Sequence, residues 1–510
     1  TKTEKPVELQ TSQLISPTLQ TSTSVADSRS VTFDDIPGPY TLRYISKFWS
    51  TIPIVGTEVT VSIVQYLLSG GKFFGGILSW GGNRNFFKKF FDQYGPVVRL
   101  HGPFGSDVVL LNRPEHASAI FQNEGPYPVR SCLDSVEKYR SQCRRYSQPG
   151  PFLMYGPEWG KLRKAIEQPL HLAVSQQFKD IEQICEEFNQ RIYVIRNKQE
   201  EMPDNFKNEI YKWCLECLCS ITLNRKLGFL DSCGLSSTSD PGTLLEGLTG
   251  ATQAIRKLEY GFHLWKFMET PAWKSLVKNC DLIDGVINKY IERAISSLRE
   301  KKDKPLPENM SLLEVLLLRE NFVADDALTL ILDMFLIGVN ATAHTIRLYE
   351  EIKSLGDNIS QDSIKKLKYL NVCIKETLRL DPPIPILNRR LTSDVIVHHY
   401  LIPKGTYILF ATHLNSLREE YFEDAQKFKP ERWLSNELGG FGNEFQAFAT
   451  LPFGHGAKAC LAKEMVEMQL ALLLIQVIKT FRIEYNYGDI QSSNELLSTP
   501  TKPLKFRFIN

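Results

Sequence analysis

Leu451–Leu470 reads LPFGHGAKACLAKEMVEMQL. One cysteine, Cys460, ends a glycine-punctuated loop that opens directly into a long apolar-faced helix. Gly454 and Gly456 carry no Cβ, so the backbone there can turn tightly and pass close to a flat ligand. A cysteine just before a helix N-terminus faces unpaired N–H groups and the positive end of the dipole, which predicts a lowered pKa and a thiolate. The plain alternative is a buried structural cysteine beside a turn.

A lone stabilised thiolate suits the axial position of a haem iron, where its electron density favours O–O cleavage. The loop matches F-x-x-G-x-[HRK]-x-C-x-G at Phe453, Gly456, Lys458 and Cys460, with Ala462 in place of the last glycine. In this it resembles the haem-binding loop of a cytochrome P450. The resemblance runs from about residue 36 to the C-terminus. It implies a mainly α fold with a small β part, one large domain over 36–510, and a disordered segment or targeting remnant over 1–35.

Working outward, 43% hydrophobic residues supply a large core, and a net charge of +2 offers no basic field for nucleic acid. Ten dilute, irregularly spaced cysteines read as a reducing compartment rather than a disulfide scaffold. The chain opens on Thr1, and its first 32 residues are Ser/Thr-rich and polar, which reads as disorder. Nothing before Pro37 offers the ~20 consecutive apolar residues a membrane span needs. Glu4, Glu8 and Asp27 weaken a transit-peptide reading of this stretch.

Ile36-Pro37-Gly38-Pro39 marks the entry into folded structure. A helix-like run from Phe86 gives way to strand candidates VVRLHG and DVVLL, ending near Leu111. Helical patterns cover Trp159–Leu172, Phe178–Lys198, Asn208–Leu227, Pro271–Lys301, Ala324–Tyr349 and Gln361–Leu380. VIVHHYLIPKGTYILFAT reads as a hairpin-like strand pair around Pro403-Lys404-Gly405, and the C-terminal segment reads as short strands.

Glu376 and Arg379 in KETLRL are three apart and share a helix face. Exposed, such a pair would contribute well under ~1 kcal/mol. The resemblance implies instead a buried structural pair joined by Arg432 of FKPERW, holding the cysteine loop against the haem. Haem carries two carboxylates, which select Arg and N–H donors. By resemblance Trp159 and Arg163 in GPEWGKLR, Arg389 beyond the proline stretch, and Lys458 are the cofactor-binding partners. Cys214, Cys217 and Cys219 in WCLECLCS invite a metal reading, but on a helix they do not share one face and zinc spacing is absent, so they read as core.

The oxygen-activating helix of the resemblance falls on LTLILDMFLIGVNATAHT, Leu328 to Thr345. Where family members carry an acid–threonine pair that relays protons, this chain has Asn340 and Ala341, leaving Thr342 as the nearest hydroxyl. Only 33 residues lie between Thr342 and Glu376, fewer than family members carry, as though the end of one helix and the start of the next were absent.

LNRKLGFLD, Leu223 to Asp231, and LWKFMETPAWK, Leu264 to Lys274, look like the mitochondrial clan of the family, in an invertebrate member. That implies haem b ligated by Cys460, and electrons from an adrenodoxin-like ferredoxin with its NADPH-dependent reductase. The ferredoxin would dock at Lys375, Lys366 and Lys463. It also implies a place on the matrix side of the mitochondrial inner membrane, with peripheral association only. The implied reaction inserts one atom of O2 into a C–H bond of a small apolar substrate, a steroid or sterol first. Phe335, Val339, Ile384, Leu387 and Leu497 are the expected pocket residues. Asn340 and Ala341 leave a second reading open: a non-catalytic, peroxide-shunt or isomerase-type haem protein.

Overall fold

The computed structural model describes residues 32–40, 43–44 and 85–510, apart from 102–106, 131–132, 232–234, 260–262, 301–309, 320–321, 343–367, 435–445, 488–491, 495–497 and 501. The helices are α1 (Asn85–Tyr94), α2 (Pro114–Asn123), α3 (Asp134–Lys138), α4 (Gly156–Gln176), α5 (Phe178–Ile195), α6 (Phe206–Leu223), α7 (Asp240–Glu259) and α8 (Pro271–Glu300). They continue with α9 (Leu312–Leu317), α10 (Ala324–Asp333), α11 (Val339–Thr342), α12 (Lys368–Leu380), α13 (Thr412–Ser416), α14 (Gln446–Ala449) and α15 (Lys463–Thr480). The chain is therefore mainly α, as its sequence implies.

The main sheet has four strands: β1 (Val97–Leu100), β2 (Val108–Leu111), β3 (Leu387–Arg390) and β6 (Tyr407–Phe410), in the order β1-β2-β6-β3. β1 and β2 are antiparallel with Val97 opposite Leu111, while β2 and β6 run parallel with Val108 opposite Tyr407. Every position of VVRL and VVLL is buried, so neither strand shows an in-out alternation, and the charge of Arg99 within VVRL is met by Asp107 at 2.7 Å. The Pro-Gly-Pro entry lies flat against this sheet. Arg99 N–H donates to Pro37 O at 2.8 Å, and a Cβ on Gly38 would collide with the Arg99 carbonyl.

Strand β4 (Val395–Val397) pairs with β5 (Tyr400–Ile402) across His398-His399, with His398 at φ +56°. This corrects the expected hairpin around Pro403-Lys404-Gly405. That turn separates two sheets, because Tyr407–Phe410 joins β2 and β3 instead. Near the C-terminus β7 (Arg482–Glu484) pairs with β10 (Arg507–Ile509), and β8 (Ser492–Asn494) with β9 (Ser498–Pro500).

The helical core gathers around α15, whose Leu470–Ile475 stretch is buried all round, together with Ile166, Ile184, Trp213 and Leu330 from neighbouring helices. A helix apolar on every side belongs inside. Cys214, Cys217 and Cys219 are 3%, 0% and 0% exposed, so all three are core. Among the described residues no cluster of His, Cys, Asp or Glu is arranged to hold a metal ion, and no helix is long and apolar enough to cross a membrane.

Several helices differ from the sequence reading. α5 stops at Ile195 because Arg196 turns extended, and α6 stops at Leu223 because Asn224 adopts the left-handed conformation at φ +51°. α10 passes through a π-helical turn, Met334–Gly338, before α11. The expected continuation over 343–349, and 361–367 before α12, lie outside the described residues.

Candidate active site

The cysteine loop is built from two left-handed glycines and a 3-10 turn. Gly454 and Gly456 have φ +73° and +67°, conformations that L side chains rarely adopt, and Gly456–Lys458 forms the turn. Cys460 N–H donates to Phe453 O at 2.8 Å and Ala459 N–H to Gly456 O at 3.0 Å, which fixes the cysteine at the loop's end. The helix behind it starts at Lys463.

Cys460 is solvent-accessible although protein atoms surround most of it. Burial pushes its pKa above the ordinary thiol value, against the Ala462 N–H and the charges of Arg130 and Arg163, which favour thiolate. This corrects the expected lowering: enclosure by protein outweighs the Ala462 N–H and the arginine charges that favour thiolate. Iron coordination would reverse this, since a metal-bound thiol is deprotonated outright.

Three cations gather on the same loop, and a fourth lies beside it. Arg163 on α4 donates through Nη1 to Ala459 O at 2.9 Å, and Arg389 on β3 through Nη2 to His455 O at 3.2 Å. Lys458 is buried, with its Nζ 2.8 Å from Met154 O and 3.6 Å from the centre of the Trp159 ring. Arg130, which sequence reasoning missed, stacks over Phe152 at 3.8 Å and donates to Phe152 O at 3.1 Å. Its only signal was a lone arginine in GPYPVR between elements. Glu124 was missed as well; it pairs with Arg389 at 2.6 Å, both side chains buried. One accessible cysteine with Arg163, Arg389 and Lys458 on its loop and the Arg130 charge beside it is a donor set that fits an iron-bearing ring with two carboxylates.

Behind the loop, Glu376 and Arg379 are both fully buried. Arg379 grips Glu376 with two hydrogen bonds, Nε to Oε2 at 2.8 Å and Nη2 to Oε1 at 2.7 Å. Glu376 also accepts from Arg432 Nε at 3.2 Å, from the Lys429 N–H at 3.0 Å and from the Trp433 indole N–H at 2.9 Å. Arg379 also donates to the carbonyls of Ser416, Ala425 and Lys427. Burial pushes the Glu376 carboxyl up, but Arg379, the Lys429 N–H and Trp433 outweigh it and hold its pKa below the usual value.

On the helix opposite, Phe335 and Val339 are 0% and 2% exposed, while Ile384 and Leu387 are half-buried. Leu497 lies outside the described residues, as does Lys366. Thr342 is buried and its hydroxyl donates to Gly338 O at 3.0 Å. Asn340 and Ala341 fall within the helical turn of α11. A buried ion pair that sequence reasoning missed, Arg140–Asp333 at 2.8 Å, holds this helix to the segment before α4, where Phe152 N–H also donates to Asp333 at 2.8 Å. On the far side of the loop, Lys375 stacks over Trp433 at 4.0 Å, and Lys463 lies 3.8 Å from Glu467.

This fold matches that of a retinoic acid-bound cyanobacterial CYP120A1, with TM-score 0.66 and 17% identity over 83% of this chain and 94% of that one. The sequence is 27% identical to a probable cytochrome P450 301a1, mitochondrial, of Drosophila melanogaster, over 93% of this chain and 86% of that protein. It is 31% identical to a probable cytochrome P450 12a5, mitochondrial, of the same fly, over 82% and 84%, and 29% identical to cytochrome P450 CYP12A2 of Musca domestica, over 92% and 93%. The cytochrome P450 family profile matches residues 68–508, and the chain belongs to that family of haem-thiolate enzymes. Its likeness is to insect P450s of the mitochondrial type.

Proposed function

We propose that this chain is a haem b monooxygenase with Cys460 as the axial ligand. It takes two electrons from an adrenodoxin-like ferredoxin, itself reduced by an NADPH-dependent reductase. The reaction balances as substrate R–H, O2, two electrons and two protons giving R–OH and water. The observation that carries this reading is the accessible Cys460 at the end of a doubly left-handed loop, with Arg163, Arg389 and Lys458 on that loop and the Arg130 charge beside it. Haem, when bound, supplies the activation of O2.

The residues of the chain do the rest. Arg163, Arg389, Lys458 and Trp159 hold the haem carboxylates, with Arg130 beside them. The Glu376–Arg379–Arg432 network keeps the loop in register. Half-buried Ile384 and Leu387 offer apolar surface to the substrate, and Phe335 and Val339, which are buried, are the other apolar residues it would meet. A steroid or sterol is the first substrate class to try, on the strength of the clan resemblance. Lys375 and Lys463 receive the ferredoxin. The names of the insect relatives support a mitochondrial location, and the clan resemblance suggests the matrix side of the inner membrane, with peripheral association.

A second reading has its own support. Asn340 has no acidic proton to give, Ala341 has no hydroxyl, and the Thr342 hydroxyl is committed to Gly338 O. A peroxide-shunt or isomerase-type reaction needs no such relay. Reconstitution with ferredoxin, reductase and NADPH separates the two. A monooxygenase forms hydroxylated product only with the complete electron chain. Product formed equally from peroxide alone, or by rearrangement without NADPH, supports the second reading.

A further inference from the structure

Arg389 brings five N–H donors to the cysteine loop. The structure uses three: Nε to Glu124 Oε2 at 2.6 Å, Nη1 to Asn388 O at 2.9 Å and Nη2 to His455 O at 3.2 Å. One N–H remains on each Nη atom, leaving two donors for a carboxylate. Glu124 occupies the third edge of the guanidinium. Its side chain is 7% exposed and that of Arg389 is 5% exposed, so this ion pair is screened little by solvent. The Arg389 carbon also lies 5.0 Å from the centre of the Phe121 ring, which limits its tilt. Glu124 touches the loop directly as well: a Cβ on Gly456 would come within 2.5 Å of its Oε1. Burial pushes the Glu124 carboxyl up, while Arg389 and Lys458 pull it down, so it lies in the field of both cations.

We propose that Glu124 is a positioning and charge-balancing residue for the haem site, acting through Arg389. It fixes the guanidinium so that the two remaining N–H donors serve a haem carboxylate, and it offsets one positive charge beside the cysteine loop. A buried guanidinium with no counter-charge is costly, and two buried anions on opposite edges can share one arginine. The inference rests on the haem-thiolate reading.

The test measures the ferric/ferrous midpoint potential of haem-loaded protein. Glu124→Gln keeps the shape and one acceptor but removes a negative charge beside the cysteine loop. Its potential is expected to rise. Glu124→Asp keeps the charge and is expected to stay near wild type. On an Arg389→Ala background the Glu124→Gln shift is expected to shrink, because the part that acts through the guanidinium is gone and only the through-space effect of the charge remains. A Glu124→Gln potential equal to wild type, or an equal shift with and without Arg389, overturns the proposal. Arg389→Lys is a probe that leaves Glu124 in place. It keeps the charge but loses the two Nη donors, and haem transfer to apomyoglobin is expected to speed up about tenfold, the scale of one charge-assisted hydrogen bond. A wild-type transfer rate in Arg389→Lys counts against those donors. Wild-type protein that gives a thiolate CO spectrum while these variants behave as wild type removes only the role of Glu124. A wild-type protein without haem removes the monooxygenase reading too.

Discussion

Glu376 shows what a residue's surroundings do to its worth. Buried and holding Arg379, Arg432, the Lys429 N–H and Trp433, it is the hub of a satisfied network rather than a surface pair. Arg379→Ala leaves that carboxylate short of its main counter-charge, at a cost of ~3–5 kcal/mol, a large share of a domain's net stability. Expression of Arg379→Ala is expected to yield haem-poor protein with a depressed melting temperature; a haem-loaded variant melting like wild type contradicts the network's role. Much of this site was legible in the sequence, because Cys460, Glu376, Arg379 and Arg432 sit in short motifs at fixed spacing. Glu124 and the Arg140–Asp333 pair were not, since each finds its partner far along the chain, and Arg130 was not, since it stands in no motif. The ionisation of Cys460 was misread because the sequence shows a coming helix but not how deeply the thiol is enclosed.

At the scale of elements, α7 was invisible in the sequence because DPGTLLEGLTGATQAIRKLE looks like a poor helix. Its glycines serve packing instead: a Cβ on Gly247 would meet Ile283 at 2.9 Å, and one on Gly250 would press into Asn279, so α7 lies close against α8. The end of α7 carries a pH-sensitive contact. Glu259 accepts from Ser135 N–H at 2.9 Å and from its hydroxyl at 2.5 Å, and burial pushes its pKa up to about 7. Between the unfolded carboxyl value and about 7 the folded chain binds more protons than the unfolded one, so this group's contribution is full at acid pH and is lost as pH rises through 7. Glu259→Gln is expected to flatten the fall of melting temperature over that window, and an unchanged profile counts against the assignment. The π-helical turn before α11 is a local departure of the kind found at functional sites. If protons reach oxygen poorly because Asn340 and Ala341 replace the relay pair, Asn340→Asp with Ala341→Thr is expected to raise product formed per NADPH. General acid steps contribute ~10²–10⁴-fold, so the gain is measurable. Unchanged, already tight coupling shows another route for protons.

Across the whole molecule, the sheet, the central α15 and the loop before it form the frame that puts Cys460 and the cations on its loop in one place. Mainly helical character and family were readable from motifs; the pairing of β6 with β2 was not, because a parallel partner nearly 300 residues away leaves no local trace. The electron partner tests the outer face. Lys375→Glu is expected to slow first-electron reduction by ferredoxin at low ionic strength, with the difference shrinking as salt rises, since rim charges act mainly on association. Equal rates remove Lys375 from the docking site. The central claim is the ligation by Cys460, and the CO-difference spectrum of the ferrous protein reads it directly. Wild type and Cys214→Ser are expected to show the thiolate-type band, and Cys460→Ala to lose it; a Cys460→Ala protein that keeps the band contradicts the account.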